Sequence, residues 1–323
     1  MNKLAKLFEG FNNNISLSES YKQKIRTGRN SIRSRIGNYF EQKDQQIPKH
    51  HTQGSYAMHT SIMPLEDEDF DLDNGVYLQG YDDNRECWPE VSSVHCLVKE
   101  AVQGHTKEII DKDTCVRVVY QDNYHLDLPI YIMGKDDDGQ EVAYLAHKKE
   151  GWIISDPVAF RNWFNDATKQ SPTGSLRRSV KYLKQWIHHN KIDIPGMAVS
   201  ILVAENFSDE GDDALTLLRV VTDIIDELEE NYSCYKPVRP KTEDLFSKHS
   251  YYDQSKNLNQ LELLKNKLAE AIYDSKNQYE ASIVLREVFG EKRFPIGEKD
   301  ILNEEYLKTS EPEKVGKKNR HYA

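Results

Sequence analysis

Phe70-Asp71-Leu72-Asp73-Asn74-Gly75-Val76-Tyr77 is the stretch on which the reading of this chain turns. Side chains alternate across a strand with a period of two, so Asp71 and Asp73 fall on one face and Leu72 on the other. Phe70, Leu72 and Val76 make the stretch strand-like, although it closes an acidic run, Glu66-Asp67-Glu68-Asp69, that alone reads as a solvated loop. Two carboxylates on one edge suit a hard divalent cation, which prefers oxygen ligands and keeps substrate phosphates in its shell. A calcium loop is the rival metal reading, and it fails on spacing. Started at Asp69, it would need a glycine where Asn74 stands and a bidentate glutamate where Gly80 stands.

Downstream, Cys115-Val116-Arg117-Val118-Val119-Tyr120 and His125-Leu126-Asp127-Leu128-Pro129-Ile130-Tyr131 are β-rich runs separated by Gln121-Asp122-Asn123-Tyr124, a hairpin signal. Alternation sets His125, Asp127 and Pro129 on one face, so Asp127 joins Asp71 and Asp73 if the strands are sheet neighbours. An acid between Leu126 and Leu128 in a central strand is costly unless paired or metal-bound. Upstream, Gly54-Ser55 marks a turn. Its glycine lets the backbone approach a triphosphate, its serine offers a hydroxyl, and a helix start after it would present N–H groups to phosphate. The chain has no Gly-x4-Gly-Lys-Ser/Thr loop, which argues against a P-loop ATPase. His50, His51, His59, His95, His105 and His125 show no HExxH spacing and read as structural or surface residues.

With 323 residues, 38% of them hydrophobic, the chain can bury a real core in one large or two ordinary domains. A mean hydropathy of -0.75 and the lack of an apolar run of about 20 residues exclude a spanning helix. The start, Met1-Asn2-Lys3-Leu4-Ala5-Lys6, is not followed by an apolar signal core, and the expectation is a cytoplasmic protein. Cys87, Cys96, Cys115 and Cys234 have no paired short spacing, so they read as reduced, semi-buried thiols. A net charge of -10 opposes nonspecific binding to nucleic acid and favours small, metal-complexed anions as ligands.

Ile25, Ile32, Ile36 and Phe40 predict a long helix from Ser18 to Gln42, capped by Ser16 or Ser18. Val94, Leu97, Val98, Ala101 and Val102 predict a second between Glu90 and Gln103. Beyond Asp156-Pro157 the pattern becomes mostly helical, which suggests a second lobe. Within Ser175 to His189, Leu176, Val180, Leu183 and Ile187 form an apolar stripe, and Arg177, Lys181, Lys184 and His188 form a positive one about 100° around. Asp213 to Glu230 and Leu258 to Tyr273 read as further helices, and the polar segment from Glu311 to Ala323, with Lys314, Lys317, Lys318 and Arg320, as a fraying end.

Combined, these strings resemble the bacterial cGAS/DncV-like nucleotidyltransferases, which synthesise cyclic oligonucleotide second messengers in CBASS antiphage signalling. The resemblance rests on Gln53 to Met58, Phe70 to Tyr77, Tyr124 to Tyr131, Ser155-Asp156-Pro157, Arg178 to Trp186, Val288-Phe289-Gly290 and Phe294-Pro295. It implies an α+β fold. A polymerase-beta-like nucleotidyltransferase lobe with a mixed sheet and a long N-terminal spine helix would occupy residues 1–160. A helical C-terminal lobe over 161–310 would close the nucleotide site, and 311–323 would be a flexible basic tail.

By the same resemblance, Asp71, Asp73 and Asp127 would be catalytic and hold two Mg2+ ions, with Mn2+ as a substitute. Gly54 and Ser55 would contact the donor triphosphate, Lys184 and Ser200 its phosphates, with Lys181 a second candidate and Asp213 near a base. Implied partners are purine nucleoside triphosphates, ATP or GTP, and a downstream effector that binds the cyclic product. A ubiquitin-transfer-like partner acting on the C terminus at Ala323 is also implied; no membrane and no strong nucleic-acid binding are expected. The chain lacks the histidine and cysteine cluster of the animal DNA sensor's zinc thumb, which argues against direct activation by double-stranded DNA. Two other readings stay open: a nucleotidyltransferase that modifies RNA or protein, and a non-catalytic nucleotide-binding scaffold.

Overall fold

Two helices, α1 (Ala5–Ile15) and α2 (Glu19–Gln42), open the chain in a computed structural model that describes residues 4–65, 68–121 and 124–299. The second is the expected spine. Ser18 caps it by accepting the Tyr21 N–H, and Ile25, Ile32, Ile36 and Phe40 form its buried stripe. Gly28 lies on that stripe, where a Cβ would stand 2.3 Å from the Tyr124 hydroxyl. The helix thus comes closest to the sheet where it has no side chain.

After β1 (Lys49–Thr52) and the short α3 (Gly54–Ala57), the alternating stretch forms one continuous strand, β2 (Phe70–Leu78). Next come α4 (Val91–Val102), β3 (Glu108–Asp111), β4 (Val116–Tyr120), β5 (Tyr124–Leu128), β6 (Ile130–Lys135), β7 (Glu141–His147) and β8 (Gly151–Ile154). The sheet is mixed, as expected. Its order is β3-β4-β5-β2-β6-β7-β8 with β1 on β2; β2 runs parallel to β5 and β6, and the other pairs are antiparallel. The β-rich run from His125 to Tyr131 proves to be two strands, broken at Pro129. A proline has no N–H for a ladder, so β5 pairs with Phe70–Asp73 and β6 with Val76–Leu78, while the Pro129 carbonyl accepts the Val76 N–H at 2.8 Å.

The remaining elements are α5 (Pro157–Ala167), α6 (Ser175–Asn190), α7 (Gly196–Glu205), α8 (Asp213–Glu230), α9 (Tyr251–Ala269) and α10 (Gln278–Phe289). α9 starts a turn or more before the expected Leu258, because Ser250 and Asp253 close a reciprocal capping box. Two main cores result. In one, α2 and α4 cover a sheet face through Ile32, Val98, Leu72 and Leu126. In the other, Phe8 and Phe11 of α1 pack with Tyr182, Phe289 and Phe294. The packing does not follow the expected division at residue 160 strictly. α1 and Phe160 belong to the helical core, because that is where the aromatic partners able to cover them lie.

The expected tail at 311–323 and residues 300–310 of the helical lobe lie outside the described residues. Cys87 and Cys96 are exposed free thiols, and Cys115 and Cys234 are buried ones. No helix among the described residues is long and apolar enough to cross a membrane.

Candidate active site

Parallel pairing of β2 with β5 sets Asp71 opposite His125 and Asp73 opposite Asp127, and the β4–β5 hairpin sets Arg117 opposite Asp127. Three acids expected from the sequence thus meet two residues that were not. Arg117 donates through Nε and Nη2 to the two carboxylate oxygens of Asp127, at 2.6 and 2.7 Å. Its Nη2 also lies 3.0 Å from Asp71 Oδ1. His125, read from the sequence as a structural or surface residue, stands 3.1 Å from Asp71 through Nδ1 and 3.3 Å from Asp69 through Nε2. Burying Asp127, at 9% exposure, is made tolerable by a charged, bidentate partner.

Asp73 has no such relief. Among the described residues no hydrogen bond or ion pair reaches its carboxylate. Burial, then the charges of Asp127 and Asp71, push it up to about 7. Gly54 lies directly beside it. At a φ of +66° it takes a left-handed conformation, and a Cβ there would come 2.4 Å from Asp73 Oδ2. The glycine therefore opens the turn and clears room for the acid.

Among the described residues, no group of three or more histidine, cysteine, aspartate or glutamate side chains is arranged to hold a metal ion as it stands. The reason is visible: the Arg117 guanidinium lies between Asp71 and Asp127. The chemistry of the donor set nevertheless fits a divalent cation, because it offers hard carboxylate oxygens at neighbouring strand positions, and burial beside two other acids holds the Asp73 carboxyl up where a cation would favour its ionised form.

A cleft of about 360 Å³ lies beside the acids, lined by Asp71, Ser55, Thr60, Ser61, Lys184 and His188 among others. Ser55 and Ser61 share a hydrogen bond of 2.9 Å. Lys184 donates to the Thr60 hydroxyl at 3.3 Å, and burial lowers its ammonium to about 8. A neighbouring cleft of about 320 Å³ shares Ser61 and adds Lys181, Lys22, Arg26 and Tyr56. There Lys181 bonds Asn12 Oδ1 and, at 2.8 Å, Ser16 Oγ. Burial and the nearby Arg178 and Lys22 bring it down to about 8 as well.

The positive stripe of α6 therefore points across the lobes. Arg177 donates to the Met58 carbonyl at 3.1 Å, and His188 pairs with Glu68 at 2.6 Å. Two expected site residues lie elsewhere. Ser200 is wholly buried inside α7 and spends its hydroxyl on the Gly196 carbonyl at 3.0 Å, the back-bonding usual for a mid-helix serine. Asp213 accepts both arms of Arg178 at 2.7 Å and the Tyr182 hydroxyl at 2.6 Å, in a separate cleft with Glu9 and Asn12. Arg117 could have been found earlier, since a hairpin that pairs Tyr120 with Tyr124 also pairs Arg117 with Asp127.

Carboxylates aligned on adjacent parallel strands, a Gly-Ser turn beside them and a lysine-bearing helix across the cleft define the nucleotidyltransferase class of fold. Residues 48–131 match the family model described as the nucleotidyltransferase domain of DncV-like cyclic GMP-AMP synthases. A cyclic GMP-AMP synthase of Escherichia coli is 23% identical over 232 residues, 56% of this chain and 52% of that protein. Another, from E. coli strain TW11681, is 23% identical over 303 residues, 76% of this chain and 68% of its own length. The match thus spans about half the length of the first relative.

The Vibrio cholerae DncV cyclic AMP-GMP synthase in complex with nonhydrolyzable GTP superimposes with a TM-score of 0.76 at 18% identity, covering 91% of this chain and 98% of that one. Its complex with a linear intermediate, pppA(3′,5′)pG, gives 0.75 at 17% identity, covering 92% and 99%. At such identities the likeness establishes the fold. Domain match and fold likeness agree: residues 48–131 are similar to a DncV-like nucleotidyltransferase domain, and the chain has the fold of DncV over 91% of its length.

Proposed function

We propose that this protein is a divalent-cation-dependent nucleotidyltransferase that joins purine nucleoside triphosphates, ATP or GTP, into a cyclic oligonucleotide messenger. The observation that carries the reading is the register of β2 against β5, which puts Asp71, Asp73 and Asp127 on one edge beside a cleft lined by Ser55 and Lys184. In each round a ribose hydroxyl attacks an α-phosphorus, a P–O bond forms with loss of the hydroxyl proton, and pyrophosphate leaves. A second round on the linear intermediate closes the ring.

Asp71, Asp73 and Asp127 would hold the cation, Mg2+ or Mn2+, whose positive charge stabilises the attacking and leaving oxygens. The chain's own part is positioning and neutralisation. Lys184 supplies charge to the donor phosphates from an enclosed site, Ser55 and Ser61 offer hydroxyls, and Gly54 leaves space for Asp73. The relatives' descriptions as cyclic GMP-AMP synthases support this reading, and it carries with it a cytoplasmic role in antiviral signalling, an effector for the product and a conjugating partner for the C terminus.

The test uses α-labelled triphosphates. Label in a small product that resists phosphatase supports cyclisation. Label transferred to RNA or protein would move the assignment to a macromolecule-modifying enzyme, which a net charge of -10 disfavours for RNA. Binding without turnover would leave a scaffold.

A further inference from the structure

Arg117 stands at the centre of the acid cluster and contacts two of its three carboxylates. It takes both oxygens of Asp127 at 2.6 and 2.7 Å, reaches Asp71 Oδ1 at 3.0 Å, and lies 2.9 Å from His125 Nδ1 through Nη1. Its side chain is 14% exposed. An arginine keeps its charge at every pH a protein survives, so it cannot vacate the site by deprotonating. A divalent cation ligated by Asp71 and Asp127 would face this guanidinium across the same oxygens, and two positive groups that close repel.

We propose that Arg117 is a positioning residue that serves as the built-in counter-cation of the acid triad: it holds Asp71 and Asp127 together in the metal-free protein and is exchanged out when a divalent cation enters. The inference rests on the metal reading given above. The register supports it, since Arg117 is the cross-strand partner of Asp127 and is delivered to the site by the hairpin. Asp73, the acid of the three that Arg117 does not contact, is left without that guanidinium as a partner and is the natural first foothold for an entering ion. His125 supplies a second resting place, because its Nδ1 already lies against Arg117 Nη1.

Exchange makes a prediction opposite to that of a fixed clamp. Mn2+ alone is titrated into the full chain and into Arg117→Met, with free ion read by electron paramagnetic resonance. Removing the competitor is expected to tighten Mn2+ binding by roughly tenfold or more, with Arg117→Lys in between. Equal or weaker binding by Arg117→Met would overturn the exchange while leaving the metal reading intact. No Mn2+ bound by either protein would overturn the metal reading and the exchange with it. A second measurement needs no variant to fold stably in this region: in the unaltered protein labelled with ¹⁵N-arginine, saturation with Mg2+ is expected to shift the Nε–H resonance of Arg117, and an unmoved resonance at saturation would overturn the proposal.

Discussion

Lys184 shows how a single residue can cost stability for the sake of a site. Its ammonium is enclosed beside Thr60, and its pKa falls from 10.5 to about 8. Between those values the unfolded chain binds more protons than the folded one, so stability rises with pH across that window. Below it, the buried charge costs up to about 3 kcal/mol. Lys184→Met is therefore expected to exceed the parent in urea-melt stability at pH 7, with the advantage shrinking between about pH 8 and 10.5. Affinity for a nonhydrolysable triphosphate should fall roughly tenfold or more. Identical pH profiles for the two proteins would show that the ammonium is not enclosed. Gly54 carries a second constraint of this kind. Gly54→Ala must place a Cβ 2.4 Å from Asp73 Oδ2 at a φ of +66°, and a loss of about 1–2 kcal/mol is expected in thermal unfolding, together with weaker triphosphate binding by calorimetry.

At the scale of elements, α6 does two jobs with two faces. Leu176, Val180, Leu183 and Trp186 are buried in the helical core, and Arg177, Lys181, Lys184 and His188 reach across to the N-terminal and catalytic elements. Arg178, between those faces, fixes α6 to α8 through Asp213. If that pair is structural, Asp213→Ala strands a half-buried guanidinium and should cost about 3 kcal/mol, without altering which bases enter the product. A changed base preference with stability kept would instead restore Asp213 as a nucleotide contact. The two stripes of α6 and the spine of α2 were legible because a helix writes its faces locally, every three or four residues. The strand character of Phe70 to Leu78 was legible for the same reason at period two. Pairing of β2 with β5 was not, because parallel partners distant in sequence leave no local mark. The hydrogen-bond partners of Ser200 and Asp213 were not legible either, because position within a family string carries no information about which carbonyl or guanidinium a side chain meets.

For the molecule as a whole, a net charge of -10 coexists with clefts in which Lys184, Lys181, Lys22 and Arg26 stand among Glu68, Asp69, Asp71 and Glu19. A few enclosed cations in an acidic protein suit a compact, metal-complexed polyanion held at close range better than an extended one tracked along a surface. Joining of the lobes follows from α1, which begins the chain yet packs in the helical core, so that the spine helix starts from one lobe and runs along the other. The central claim is that this arrangement closes nucleotides into rings, and the mass of the product tests it most directly. Purified protein, Mg2+ or Mn2+ and all four triphosphates are incubated, treated with phosphatase and resolved by mass spectrometry, beside a folded Asp71→Asn, Asp73→Asn double variant. The account predicts a purine product whose mass is the sum of its nucleoside monophosphates less one water per linkage, ring closure included, from the parent and none from the variant. Only nucleosides from both, or the same product from both, would contradict it.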